Sequence, residues 1–238
     1  MGINSIKHLD WDSEFFNLKI ASMKVDSLDP EFLTKSLNEC IKSNYDLIYI
    51  ILEGGTYLPQ MIMELYHCVL VDEKIVYNSE VFEAPVISPF VEEFEGPPHL
   101  LYDLAIQAGV DSRYKFDENF SENDFLRLYK VWIDNSVNNT IADKVYVYKE
   151  LNEIVGFITL KKGIDEVSIG LIATDTSQRG KGIGRSLLQA ANKYTQESKN
   201  LFLNVATQKR NKIACSFYER NAMRQKYHHN IYHIWLKK

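Results

Sequence analysis

Arg179-Gly180-Lys181-Gly182-Ile183-Gly184 alternates glycine with other residues between two segments of different periodicity. Upstream, Val167-Ser168-Ile169-Gly170-Leu171-Ile172-Ala173 reads as an apolar strand, and downstream Ile183, Leu187, Leu188, Ala191 and Tyr194 recur at helical spacing. Glycines turn backbone N–H groups toward an anion with no Cβ in the way, and the start of a helix adds unpaired donors and the positive end of its dipole. The predicted occupant is a diphosphate. A Walker loop needs Ser or Thr after Gly-Lys, where Gly182 stands, and the dinucleotide fingerprint G-x-G-x-x-G needs glycine where Arg185 stands.

The segment does fit Arg/Gln-x-x-Gly-x-Gly/Ala, with Arg179, Gly182 and Gly184 in the fixed positions, and so resembles the coenzyme A loop of the GCN5-related N-acetyltransferases (GNAT). Further on, Leu201 to Ala206 reads as a strand and Lys212 to Arg220 as a short helix. There Asn211, Ala214, Phe217 and Tyr218 match the pattern Asn-x-x-Ala-x-x-Phe-Tyr of the same family. The resemblance implies acetyl-CoA as co-substrate, held by Ile172, Ala173, Thr174, Arg179, Gly180, Lys181, Gly182, Ile183, Gly184, Arg185 and Asn211. It also implies that Asn211 meets the pantetheine arm and that Tyr218 protonates the departing thiolate. The chemistry agrees, because an amine attacking a thioester develops oxyanion and then thiolate charge that a positioned hydroxyl stabilises. With ordinary pKa values of about 10 for tyrosine and about 8.5 for a thiol, full proton transfer is slightly uphill, so hydrogen bonding shares the role.

Composition bounds the alternatives. The 238 residues are 45% hydrophobic and 25% charged, as in soluble globular proteins, and suffice for one large or two small domains. A net charge of −5 disfavours nucleic acid or an anionic membrane as the main partner and favours a small molecule. Cys40, Cys68 and Cys215 are odd in number and lack a C-x-x-C pair, so buried free thiols are expected rather than disulfides or zinc. His228-His229 and His233 surround the last predicted strand, where neighbouring side chains alternate in direction, and no metal is assigned. The N-terminus shows no signal sequence and the longest apolar run, Leu47 to Leu52, is too short to span a bilayer, which predicts a cytoplasmic protein.

Along the chain, a strand over Ile20 to Val25, a helix opened by Asp29-Pro30, a buried strand over Leu47 to Leu52, a helix over Leu58 to Tyr66 and strands near Val69 and over Ile75 to Phe82 predict an α/β domain within residues 1–95. It is assigned candidate roles in acceptor binding and in a homodimer. Prolines 85, 89, 97 and 98 mark a linker from Ala84 to His99. Residues 96–238 then predict a mixed α/β acetyltransferase domain: a helix over Leu100 to Ala108, an irregular stretch to Asn119, a helix over Glu122 to Ser136 capped by Ser121, a hairpin of Val145 to Tyr148 with Ile154 to Leu160, the loop-bearing unit, and a final strand over Ile231 to Leu236.

Four segments narrow the resemblance. Leu9-Asp10-Trp11-Asp12-Ser13-Glu14-Phe15-Phe16, Ser112-Arg113-Tyr114, Tyr129 to Ser136 and Asn204-Val205-Ala206-Thr207-Gln208 are similar to the bacterial TDP-fucosamine acetyltransferases. Members of that family acetylate the 4-amino group of a TDP-linked 4-amino-4,6-dideoxygalactose for surface polysaccharide assembly. The acceptor so implied is a nucleotide sugar. Arg113 suits its diphosphate, and Tyr114, Phe15 and Phe16 suit a base or sugar face, although aromatic side chains more often fill cores. An aminoglycoside, a polyamine or a protein N-terminus are alternative acceptors, and a noncatalytic acyl-CoA sensor is an alternative class against which Asn211 and Tyr218 weigh. The residues name no general base.

Overall fold

The computed structural model describes residues 5–81 and 85–236. The chain divides into two compact units, Met1–Ile75 with Tyr227–Lys238, and Val76–Lys226. The sequence places its boundary at residue 95; the packing instead divides the chain within two strands, β4 (Val69–Glu80) and β10 (Arg224–Trp235), each of which begins in one unit and ends in the other.

The first unit runs β1 (Ser5–His8), α1 (Asp10–Phe16), β2 (Ile20–Lys24), α2 (Pro30–Lys42), β3 (Leu47–Glu53) and α3 (Gln60–Leu65), and ends in the first part of β4. Strand β2 lies antiparallel to β1 and parallel to β3, whose other edge pairs antiparallel with β10 from Glu53↔His229 to Leu47↔Trp235. Asp29 starts α2 as read from the sequence: its Oδ1 accepts from the backbone N–H of Glu31 at 2.9 Å and of Phe32 at 3.1 Å, and Pro30 needs no acceptor. The apolar face of α2 (Leu33, Leu37 and Cys40) is buried with Ile48 and Ile50 of β3 and Tyr232 and Ile234 of β10. All three cysteines are free and buried, and burial pushes the Cys40 thiol up to about 11 and that of Cys68 to about 12.

The second unit contains β5 (Val91–Glu93), α4 (Tyr102–Ala108), α5 (Arg113–Phe116), α6 (Glu122–Val137), β6 (Lys144–Glu150), β7 (Glu153–Lys162), β8 (Glu166–Thr174), α7 (Ile183–Glu197), β9 (Phe202–Gln208) and α8 (Lys212–Arg220). Strands β5 to β8 are successively antiparallel, and β8 is parallel to β9 because α7 makes the crossover between them. Helix α7 packs on β6, β7 and β8, and α4 packs on β8 and α6. Ser121 caps α6 in a capping box, its Oγ accepting from Asp124 N and Asp124 Oδ2 accepting from Ser121 N, both at 3.1 Å.

Several elements differ from the sequence reading. The Pro-rich stretch carries edge strand β5, registered on β6 from Val91↔Tyr148 to Glu93↔Tyr146, and a 3₁₀ turn over Pro98–Leu101; Phe82 and Ala84 lie outside the described residues. The strands expected near Val69 and from Ile75 are one strand, Val69–Glu80: Asp72-Glu73-Lys74 interrupt the apolar pattern without interrupting the strand. The stretch expected to be irregular contains α5. The last strand begins seven residues earlier, at Arg224, where Arg224-Gln225-Lys226 are too polar to announce a strand.

Candidate active site

The site begins at a fork between two parallel strands. Residues pair in register from Glu166↔Phe202 to Ile169↔Val205, and beyond that point β8 and β9 continue to Thr174 and Gln208 without a shared register. A bulge accompanies the divergence: the β7–β8 register shifts between Ile158 and Leu160, so that Gly170 and Leu171 together face Thr159, whose Oγ1 accepts from Leu171 N at 2.8 Å. A Cβ on Gly170 would lie 2.7 Å from that hydroxyl oxygen, so the bulge depends on glycine there. The bulge bends β8, and Ile172, Ala173 and Thr174 beyond it line an open cleft.

The glycine loop closes one end of the cleft. Gly180 and Gly182 have φ of +83° and +84°, and a Cβ on either would meet nothing within 4 Å; backbone conformation, not crowding, calls for glycine at both. Gly182 is the N-cap of α7, whose first helical bond runs from Ser186 N to Gly182 O at 3.0 Å. The N–H groups of Ile183, Gly184 and Arg185 therefore have no acceptor within the helix and are available to an anion. Gly184 serves packing instead. Its Cβ would lie 3.1 Å from Cζ of Phe217, so its missing side chain lets α8 approach α7. Arg179 is tied back to the strand, its Nε donating to Thr174 O at 3.4 Å, and the ammonium of Lys181 donates to Gln178 Oε1 at 2.5 Å.

Helix α8 supplies the opposite wall. Asn211 is its N-cap, with Oδ1 accepting from Ala214 N at 3.0 Å, and lines the cleft with Ala214, Phe217 and Tyr218. Tyr218 is only 3% exposed. Burial, and secondarily the neighbouring Cys215 thiol, hold its phenol well above the ordinary tyrosine range, so it stays protonated at neutral pH. Behind it stands Tyr77 of β4, with ring centroids 5.5 Å apart at 42° and its hydroxyl donating to Glu219 Oε1 at 2.9 Å. Burial first, and then the bond to Glu219, raise the Tyr77 pKa as well.

The cleft measures about 510 Å³. Of the coenzyme residues read from the sequence, Lys181 alone does not line it; Tyr218 does. Arg113 and Tyr114 sit on α5, just past the cleft-lining Asp111, with Arg113 Nη2 donating to the Tyr114 hydroxyl at 2.7 Å. Phe15 and Phe16 belong to the first unit, where Phe15 stacks on Trp11 at 5.0 Å and meets Phe16 edge-on at 4.8 Å. Sequence reasoning missed Gln107, Ala108, Val110 and Asp111, which form a wall of the cleft where α4 ends, because the end of an ordinary amphipathic helix carries no motif. Among the described residues no cluster of three or more His, Cys, Asp or Glu is placed to hold a metal ion, and no helix is long and apolar enough to cross a membrane.

This fork, loop and capped helix agree with a family-level match: residues 110–223 fit the model of the Acetyltransferase (GNAT) family. They form a GNAT acetyltransferase domain. The GNAT domain runs from Val110, at the cleft wall, through the loop and Tyr218 to Met223. No curated protein matches the chain. Among solved structures, the chain is similar to a GCN5-related N-acetyltransferase from Sphaerobacter thermophilus, with 13% identity, a TM-score of 0.64, and 99% of this chain and 78% of that one covered. It is also similar to a functionally unknown conserved protein from Staphylococcus epidermidis, at 10% identity and a TM-score of 0.70 over 99% of this chain and 92% of that one. A GCN5-related N-acetyltransferase from Kribbella flavida matches at 13% identity and a TM-score of 0.61 over 98% of this chain and 88% of that one. At such identities the likeness is one of fold, and the GNAT domain is what makes the chain an acetyltransferase.

Proposed function

We propose that the cleft binds acetyl-CoA and that the enzyme transfers its acetyl group to the amino group of a TDP-linked amino-deoxy sugar in the cytoplasm, for surface polysaccharide synthesis. The observation that carries the coenzyme reading is the convergence of three features on one cleft: the positive-φ glycines at the start of α7, the forked edge of β8, and Tyr218. The pyrophosphate suits the N–H groups of Ile183, Gly184 and Arg185, with Arg179 and Arg185 adding charge. The amide-bearing pantetheine arm suits the edge of Ile172–Thr174, as a strand-like ligand pairs with an open sheet edge, with Asn211 alongside. The neutral acceptor amine then attacks the thioester carbonyl to form the C–N bond, the C–S bond breaks with the Tyr218 hydroxyl donating its proton to the departing sulfur, and the proton lost by the acceptor nitrogen passes to solvent, from which Tyr218 is reprotonated.

The acceptor rests on sequence resemblance. Arg113 is the diphosphate partner of this reading, Tyr114 its neighbour, and Phe15 and Phe16 the aromatic contribution of the first unit, which also serves a homodimer. Release of CoA, followed with a panel of amines, tests it. A TDP-linked 4-amino-4,6-dideoxy sugar should react, and the free amino sugar should be a poor substrate. Arg113→Ala should raise the acceptor KM far more than the acetyl-CoA KM, by the 2 to 5 kcal/mol or so that loss of a buried charged hydrogen bond costs. Tyr218→Phe should lower kcat by about 10² to 10⁴. Equal reaction of the free sugar and its TDP form would leave the acetyltransferase and remove the nucleotide-sugar acceptor.

A further inference from the structure

Gln107 occupies the last turn of α4 and is bonded at both ends of its amide to the turn that leads into the glycine loop. Its Nε2 donates to Asp175 Oδ2 at 3.3 Å, and its Oε1 accepts from Thr176 N at 3.1 Å. Asp175 is a fixed point for that contact. Its backbone N–H donates to Val155 O at 2.9 Å, and its Oδ1 accepts from Ser177 N at 2.9 Å and Ser177 Oγ at 2.5 Å. These bonds from Ser177, and then the one from Gln107, hold the Asp175 carboxyl below its ordinary range, so it is ionised at neutral pH.

The wall that follows Gln107 is anchored twice more. A Cβ on Gly109 would lie 2.3 Å from the Tyr129 ring of α6, so the backbone there rests directly on that ring. At the far end, the Arg210 guanidinium lies 3.7 Å from the centroid of the Phe116 ring, and Arg210 precedes the cleft-lining Asn211. The stretch from Gln107 to Phe116 thus joins the turn ahead of α7 to the cap of α8, the two features that bound the cleft.

We infer that Gln107 is a positioning residue that ties this wall to the coenzyme loop, so that coenzyme binding at the loop orders residues 108–116. The inference rests on the coenzyme A reading of the cleft. A ligand that immobilises the loop immobilises Asp175 and Thr176, and through the two amide bonds the end of α4. Without Gln107, loop and wall respond separately.

Amide hydrogen exchange on the full chain, with and without CoA, tests this. In the wild type CoA should slow exchange over both 179–186 and 108–116. In Gln107→Ala it should still slow 179–186, while the CoA-dependent slowing of 108–116 falls by about tenfold, the scale set by two net hydrogen bonds. Gln107→Glu places a carboxylate against ionised Asp175 and should behave the same way. Adding Asp175→Asn, which again sets a donor against an acceptor and keeps an oxygen for Ser177, should restore the coupling. A purely structural role for Gln107 would change exchange equally with and without CoA. Undiminished CoA-dependent protection of 108–116 in Gln107→Ala overturns the inference alone, and CoA that protects neither segment of the wild type overturns the coenzyme reading together with it.

Discussion

Tyr218 is a reluctant acid by construction. Burial strips water from its phenolate, so its folded-state pKa is raised and the neutral hydroxyl persists above the ordinary tyrosine value of about 10. The sign is clear for activity: kcat/KM should climb with pH as the acceptor amine loses its proton, with no descending limb from Tyr218 below about pH 10. A pH–rate profile that falls from about pH 8.5 would assign the acid role to a different group. Tyr77 shares that burial and fixes Glu219, the residue after Tyr218, through one hydrogen bond. Tyr77→Phe should cost about 1 kcal/mol of stability in denaturant titration and lower kcat several-fold, with the acetyl-CoA KM unchanged. The glycines divide in the same manner. Gly182→Ala should weaken acetyl-CoA binding in calorimetry, since a side chain strains a φ of +84°, whereas Gly184→Ala should first disturb Phe217. The sequence announces the loop because alternating glycines between a strand and a helix are a local signal. The use of Gly184 is not legible, because Phe217 reaches it only through the fold.

Among the elements, those with end signals are the ones the sequence places well. Asp29-Pro30 and Ser121 set the starts of α2 and α6, and α8 spans Lys212–Arg220 as read. Elements specified by pairing were missed or clipped. Strand β5 has three residues, and the β6–β7 hairpin, read as Val145 to Tyr148 with Ile154 to Leu160, extends to Lys144–Glu150 and Glu153–Lys162 around a turn with Leu151 and Asn152 at φ of 52° and 69°. The wall after α4 belongs to the same class: its glycine reads as a helix end, while its reason for being glycine is the Tyr129 ring from α6. Gly109→Ala should therefore cost about 1 to 3 kcal/mol, or more if the ring cannot yield, and lower the melting temperature accordingly. An unchanged melting temperature would mean that α4 ends elsewhere in solution. Tyr129→Leu in the same background should recover part of the loss, since a smaller side chain makes room for the added methyl.

At the scale of the whole molecule, the α/β class and the GNAT domain are legible in the sequence, but the division of the chain is not. A proline-rich stretch looks like a boundary, yet its residues build edge strand β5, and the division falls at Ile75 and Tyr227. No local composition could show that the last strand belongs with the first unit. The arrangement predicts that a chain ending at Lys226 keeps β2 beside β3 but loses its antiparallel partner β10, so hydrogen exchange over Leu47–Glu53 should become faster, while acetyl-CoA binding by the second unit survives. Slow exchange in the shortened chain would show that β3 finds its support elsewhere.

The separation of β3 from its β10 partner also sets a schedule for biosynthesis. Glu53 leaves the ribosome long before His229, and at ordinary elongation rates the wait is on the order of ten seconds or more. Throughout that interval the edge of an Ile- and Leu-rich strand has no native partner, so the nascent chain presents the kind of surface that chaperones hold and that neighbouring polypeptides capture. Slowing or stalling translation late in the message should therefore lower the yield of folded enzyme more than the same delay placed before β3.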